Sequence, residues 1–179
     1  MKNKLNALTK KDSPSYLQKD LGDIVYEKKL TKTYFVNTHG SEIMSTVLVV
    51  VNKKKIELFK NNYMSILLSF YQQDYENWQK RTIASIQMSA QQEGMSQEQV
   101  DEVVDKEFAA RKAAHQKMMN QPGVVPNSDK YLDAEDPDGN QLWRVTCMKE
   151  QIVDYMKVLK KNGFVCQEFE YDANKYTEN

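Results

Sequence analysis

The chain has 179 residues, with 25 lysines and arginines against 25 aspartates and glutamates, so its formal net charge is zero; the basic excess of a dedicated nucleic-acid binder is not there. Hydrophobic residues make up 40% and charged residues 28%, enough for one core or one core with an elaborated insertion, while a mean hydropathy of −0.72 places part of the chain outside that core. The longest apolar run, residues 47–51, is far short of the ~20 residues that cross a bilayer, which leaves partners, not direct insertion, as the route to any membrane role.

Residues 1–40 read as a polar lead-in crossing the domain surface. The stretch 1–11 is basic but has no apolar core, so it is not a signal peptide. Together with only two cysteines, Cys147 and Cys166, it predicts a soluble, cytosolic chain with reduced thiols. A short helix-like stretch near Leu5 and Leu8 and a break at Ser13-Pro14 precede the segment Leu21-Gly22-Asp23-Ile24-Val25.

Residues 43–51 are β-branched and continuous, and Asn52 closes them. This favours a strand covered on both faces. Asn52 is a good N-cap, and Ile56, Phe59, Tyr63, Ile66 and Leu67 follow at helical spacing. Residues 68–121 contain no proline and one glycine, Gly94. Gly94 suits a helix C-terminus, and Ser96 with Gln99 forms a capping box for a second helix. That helix is acidic first (Glu98, Asp101, Glu102, Asp105) and basic later (Arg111, Lys112, Lys117), the order the helix dipole favours. The spacing predicts a long helical hairpin ended by Pro122-Gly123.

Asp136-Pro137-Asp138-Gly139 is a turn signal between residues 131–135 and the alternating Trp143, Val145 and Cys147, which predicts a β-hairpin. Thr146 is placed to cap the next helix, whose buried stripe is Met148, Ile152, Tyr155, Met156 and Leu159. Lys157, Lys160 and Lys161 load its end and Asn162-Gly163 stops it. Residues 164–171 form the last strand, with Val165, Phe169 and Tyr171 on one face. Residues 172–179 read as a frayed tail.

The order strand, helix, strand, strand, helix, strand predicts an α+β fold, a ferredoxin-like split βαβ sandwich (βαββαβ) with an antiparallel sheet. The domain spans 41–171, and the helical hairpin of 68–121 interrupts it after the first helix. In that sheet the third and fourth strands flank the first, which separates Cys147 from Cys166 by two strand spacings and predicts that both are free.

The residues carry no recognisable catalytic, cofactor-binding or metal-binding constellation. Val51-Asn52-Lys53-Lys54-Lys55 replaces any phosphate-cradling glycine loop, and the three lysines read as a solvated face. His39-Gly40-Ser41-Glu42 pairs a nucleophile with a base on paper but reads as a turn before the strand. His115 reads as solvated on a charged helix, and no further ligands accompany it. Asp133, Glu135, Asp136 and Asp138 lack the spacing of a calcium loop and read as a turn. Tyr71, Tyr75 and Trp78, at helical spacing, read as packing within the hairpin; if exposed they would offer a partner surface.

Several segments together resemble the C-subunit family of the vacuolar-type proton ATPase (V-ATPase). Leu17-Gln18-Lys19-Asp20-Leu21-Gly22-Asp23-Ile24-Val25 is similar to the family's leucine-rich stretch ending in Asp-Ile-Val. Residues 41–51, closing on Leu48-Val49-Val50-Val51, resemble its central valine strand, with Asn52 where the family often has proline. Leu142-Trp143-Arg144-Val145-Thr146 resembles the strand before the second helix. Asn162, Phe164, Phe169 and Tyr171 match its Asn-x-Phe-x-x-x-x-Phe-x-Tyr ending. The resemblance covers about residues 2–63 and 124–175; residues 68–121 have no counterpart in the usual pattern.

The resemblance implies a non-catalytic stator or linker component of the ATPase with no cofactor. The chain would correspond to its head, without the long helical segments of the foot. The head would bind the peripheral stalk made of the E and G subunits, and the whole protein would also reach the a-subunit. It would sit in the cytoplasm, peripheral on the cytosolic face of vacuolar or other endomembranes, and support assembly and reversible disassembly. Two other readings share the strand order. An RNA-binding domain would need an aromatic- and glycine-rich third strand, and an acylphosphatase-like or small-molecule-binding domain would need a phosphate loop with a positioned arginine.

Overall fold

Residues 14–121 and 123–172 are described by a computed structural model; the stretch near Leu5 and Leu8 and all but the first residue of the 172–179 tail lie outside the described residues. The elements run α1 (Leu21–Glu27), β1 (Met44–Asn52), α2 (Ile56–Asn62), α3 (Ser65–Glu93), α4 (Gln97–Asn120), β2 (Lys130–Glu135), β3 (Asn140–Met148), α5 (Ile152–Lys161) and β4 (Val165–Phe169). They fall into two compact units. One holds the chain up to Leu67 and from Gly123 onward, and the other is the stretch Leu68–Pro122.

The first unit is built on a four-stranded antiparallel sheet in the order β2-β3-β1-β4. The valine strand is its centre: Val49 stands opposite Trp143 on one side and Cys166 on the other. Every residue from Ser45 to Val51 is buried, so both faces of β1 are covered, as its unbroken β-branched run requires. Alternation puts Leu48 and Val50 on one face and Val47, Val49 and Val51 on the other.

The Leu48 face is covered by residues 14–40. Leu21, Ile24, Val25, Tyr26, Leu30 and Phe35 join Leu48, Val50, Leu132, Leu142, Phe169 and Tyr171 in one buried cluster. The lead-in is therefore half of a core, where its polar composition predicts a surface crossing. Its apolar residues come in short groups around one brief helix, too few to show a period. Asp20 caps α1 by accepting a bond from the Asp23 N–H at 3.2 Å. Gly22 lets α1 approach closely: a Cβ there would lie 3.4 Å from the Phe169 ring, an ordinary contact, and 3.1 Å from Asp20 Oδ1, a tight one. The opposite face is packed by α2 and α5, through Phe59, Ile152, Tyr155, Val158 and Leu159.

Three local expectations are corrected. The helix after β1 breaks at Tyr63 without glycine or proline. The Tyr155 hydroxyl donates to the Tyr63 carbonyl at 2.8 Å and the Tyr63 hydroxyl accepts from the Asn127 N–H at 2.9 Å, so tertiary bonds replace the helical ones. Thr146 does not cap α5; it lies within β3, opposite Thr46, and the strand runs on to Met148 before a 3-10 turn leads into the helix. Met148 accordingly belongs to the strand and not to the helical stripe. The expected hairpin around Gly139 is present, and Val165, Phe169 and Tyr171 do share one face.

Cys147 and Cys166 are both free and buried. They face Ser45 and Val49 respectively, on opposite sides of β1. Two strand spacings of about 10 Å and a four-residue offset of about 13 Å separate them, well past the ~7 Å that a disulfide tolerates. Burial pushes the Cys147 thiol up to about 12 and the Cys166 thiol up to about 11.

The second unit is the helical hairpin. Gly94 ends α3 at φ +68°, with the Met95 N–H donating to the Ala90 carbonyl, and the Ser96–Gln99 capping box starts α4 as its sequence predicts. The two ends of the insertion arise side by side in the first unit: a Cβ on Gly123 would lie 2.9 Å from the Leu67 side chain. None of the buried cluster around Leu48 comes from residues 68–121, and a short loop across adjacent ends adds little closure entropy. Replacing residues 68–121 by a short Gly-Ser loop is expected to leave a cooperatively folding domain, with its melting temperature within about 5 °C of the full chain. An insoluble or molten product would show instead that the hairpin is part of the core.

Candidate functional site

The residues singled out by sequence chemistry do not converge. His39 is exposed, 6.1 Å from the Tyr171 ring. The Ser41 hydroxyl accepts the Met44 N–H at 3.0 Å and the Ile43 N–H at 3.2 Å, so this segment is the turn that launches β1. Asn52 accepts the Lys54 N–H at 3.1 Å. Lys53–Lys55 are exposed, with Lys53 3.6 Å from Glu135 and Lys55 over the Phe164 ring. Among the described residues, no group of three or more His, Cys, Asp or Glu is placed to hold a metal ion.

The acidic cluster separates by role. Asp133 takes φ +55° in the irregularity where β2 slips register between Tyr131 and Glu135. Asp136 is buried and accepts four bonds: from the Tyr16 N–H (2.9 Å), the Asp138 N–H (2.9 Å), the Asn140 N–H (2.8 Å) and Asn140 Nδ2 (3.0 Å). Asn140 Oδ1 in turn accepts from Asn52 Nδ2 at 3.0 Å. One carboxylate thus ties the lead-in, the β2–β3 turn and the end of β1 together. Burial works against its charge, but the bonds outweigh it and hold the Asp136 carboxyl below the ordinary 3.8.

Within the hairpin, the aromatics pack between the helices. Trp78 lies 5.4 Å from Phe108, and Arg111 stacks over Trp78 at 4.9 Å while reaching Asp74 at 3.6 Å. His115 is half-buried, where its charged helix predicts solvation. Its ring stacks on Tyr75 at 4.0 Å and Nε2 meets Gln72 Oε1 at 3.1 Å. Pairing across 43 residues has no local signal, so only the hairpin reading could have suggested it. Beside this seam runs an open groove of about 620 Å³ whose lining includes Tyr75, Asp105, Phe108, Lys112 and His115. No helix among the described residues is long and apolar enough to cross a membrane.

The four segments that carry the family resemblance meet in space. Leu21, Ile24 and Val25, then Leu48 and Val50, then Leu142, then Phe169 and Tyr171 all enter the one buried cluster on the covered sheet face. What defines the molecule is an antiparallel α+β scaffold that is packed on both faces and carries a helical hairpin as a separate unit. The family model for the V-ATPase C-subunit matches residues 1–179, and the chain belongs to that family. A search of curated proteins finds no match.

Proposed function

We propose that this domain is a non-catalytic stator module of a V-type proton ATPase that grips the peripheral stalk made of the E and G subunits. In the whole protein it would be linked to the a-subunit too. The family match over residues 1–179 carries the reading. In this reading residues 41–171 form the stalk-gripping head, residues 1–40 the lead-in and residues 68–121 an inserted hairpin. The fold is the ferredoxin-like split βαβ sandwich, supported by the strand order β2-β3-β1-β4 with every neighbour antiparallel.

The domain acts by binding and not by turnover, on the cytosolic face of an endomembrane, and its release accompanies disassembly of the complex. Residues 14–40 weigh against the RNA-binding alternative on the same fold, because they cover the sheet face on which bases would stack. Isothermal titration of the intact chain against a purified E–G heterodimer should give a defined complex, with no nucleotide hydrolysis by the chain alone. Absence of heat and of co-elution at tens of micromolar removes the assignment.

A further inference from the structure

Of residues 68–121, only Tyr71, Ala90 and Val100 are buried, while Val103, Met118 and Met88 are 36%, 38% and 66% exposed. Helices in water draw most of their stability from tertiary packing, and this pair covers little of its own apolar surface. The groove of about 620 Å³ beside its seam runs along α4 from Asp105 to Gln116, about 16 Å at the helical rise.

The α4 wall of that groove complements itself. Asp105, Phe108, Ala109 and Lys112 line it, so that an acid and a base flank two apolar residues. Asp105 and Lys112 are both exposed, and among the described residues neither has an ion-pair partner. The whole helix follows the same order: apart from Lys106, every acid of α4 precedes Phe108 and every base follows it. A two-fold axis between Phe108 and Ala109 would set Asp105 against the partner's Lys112 and Lys112 against the partner's Asp105. It would also lay Phe108 against the partner's Ala109, the small exposed residue of the groove. A parallel pairing in register would set acid against acid.

We propose that this groove is a docking surface for a second copy of the chain, with the two α4 helices antiparallel in an isologous dimer of hairpins. The self-complementarity points to a like copy, because a partner of different sequence would need no such symmetry. The contact along α4 is short of the roughly 800 Å² per partner of a stable complex, so the dimer is weak, with a Kd of about 10–100 μM.

Sedimentation velocity of the intact chain up to about 500 μM, well above that Kd, tests the proposal. A monomer–dimer equilibrium is expected, weakened by added salt. Asp105→Lys and Lys112→Asp, each at an exposed position, should each weaken it about tenfold or more, since the symmetry reverses two exposed pairs at once. Mixing these two variants should restore a dimer, because the heterodimer again sets acid against base at both contacts. Ala109→Arg, which fills the groove from an exposed position, should leave only monomer. Monomer at every concentration of the unaltered chain overturns the docking surface, and trimers or larger species overturn its two-fold closure. A dimer indifferent to both charge reversals, or no recovery on mixing them, overturns the α4 register. None of these outcomes depends on whether the chain binds an E–G stalk.

Discussion

Phe169→Ala is expected to cost about 3–5 kcal/mol, a large share of the roughly 5–15 kcal/mol that holds a typical domain together. Phe169 is 7% exposed and is the meeting point of the covered sheet face. Its ring lies 5.0 Å from Phe35, 5.9 Å from Tyr26 and 6.5 Å from Tyr171, and Gly22 is drawn in against it. Alanine leaves a cavity whose walls are themselves rings, anchored by the bond from the Asp172 N–H to the Tyr26 hydroxyl at 2.9 Å. Rigid walls collapse poorly, which puts the cost toward the upper part of the range. Urea unfolding should show a midpoint shifted by that amount with an unchanged slope, and limited proteolysis should cut within residues 14–40 first. A loss under about 1 kcal/mol would mean that the lead-in rests on the sheet without being part of its core.

That lead-in is also where sequence reading and structure part. The sheet was legible because its signals are local: five consecutive valine or leucine residues at 47–51, an Asp-Pro-Asp-Gly turn, an Asn-Gly stop after α5. The hairpin was legible for the same reason, through Gly94 and the Ser96–Gln99 capping box. What sequence could not supply were bonds made across the chain. Tyr63 looks like one more residue of a helical stripe until Tyr155 takes its carbonyl. Thr146 looks like a cap until pairing with Thr46 extends the strand past it. His115 looks solvated until Tyr75 stacks on it from another helix. The absence of a turnover constellation left the partner reading to rest on resemblance, because a binding face made of ordinary surface residues carries no motif.

Asp136→Asn is expected to destabilise the fold by about 3 kcal/mol although it barely changes the outline of the side chain. Both carboxylate oxygens are already committed as acceptors. Oδ1 takes the Asp138 and Asn140 N–H groups, and Oδ2 takes the Tyr16 N–H and Asn140 Nδ2. An amide must turn its NH₂ toward one of these donor pairs, whichever way it is flipped. Two buried donors then lose their acceptor, each at about 1–3 kcal/mol, and the charge-assisted character of the remaining pair is lost as well. The same geometry sets a pH dependence. The carboxyl is held below 3.8 in the folded chain, so the unfolded chain binds its proton first as the pH falls. The stability it contributes is whole above about pH 4 and drains away as the pH drops through the folded value. Wild-type melting temperature should therefore fall more steeply below about pH 4 than that of Asp136→Asn, which has no proton to take up there. Parallel curves for the two proteins would mean that other carboxylates govern acid unfolding and that the bonds at Asp136 do not need its charge.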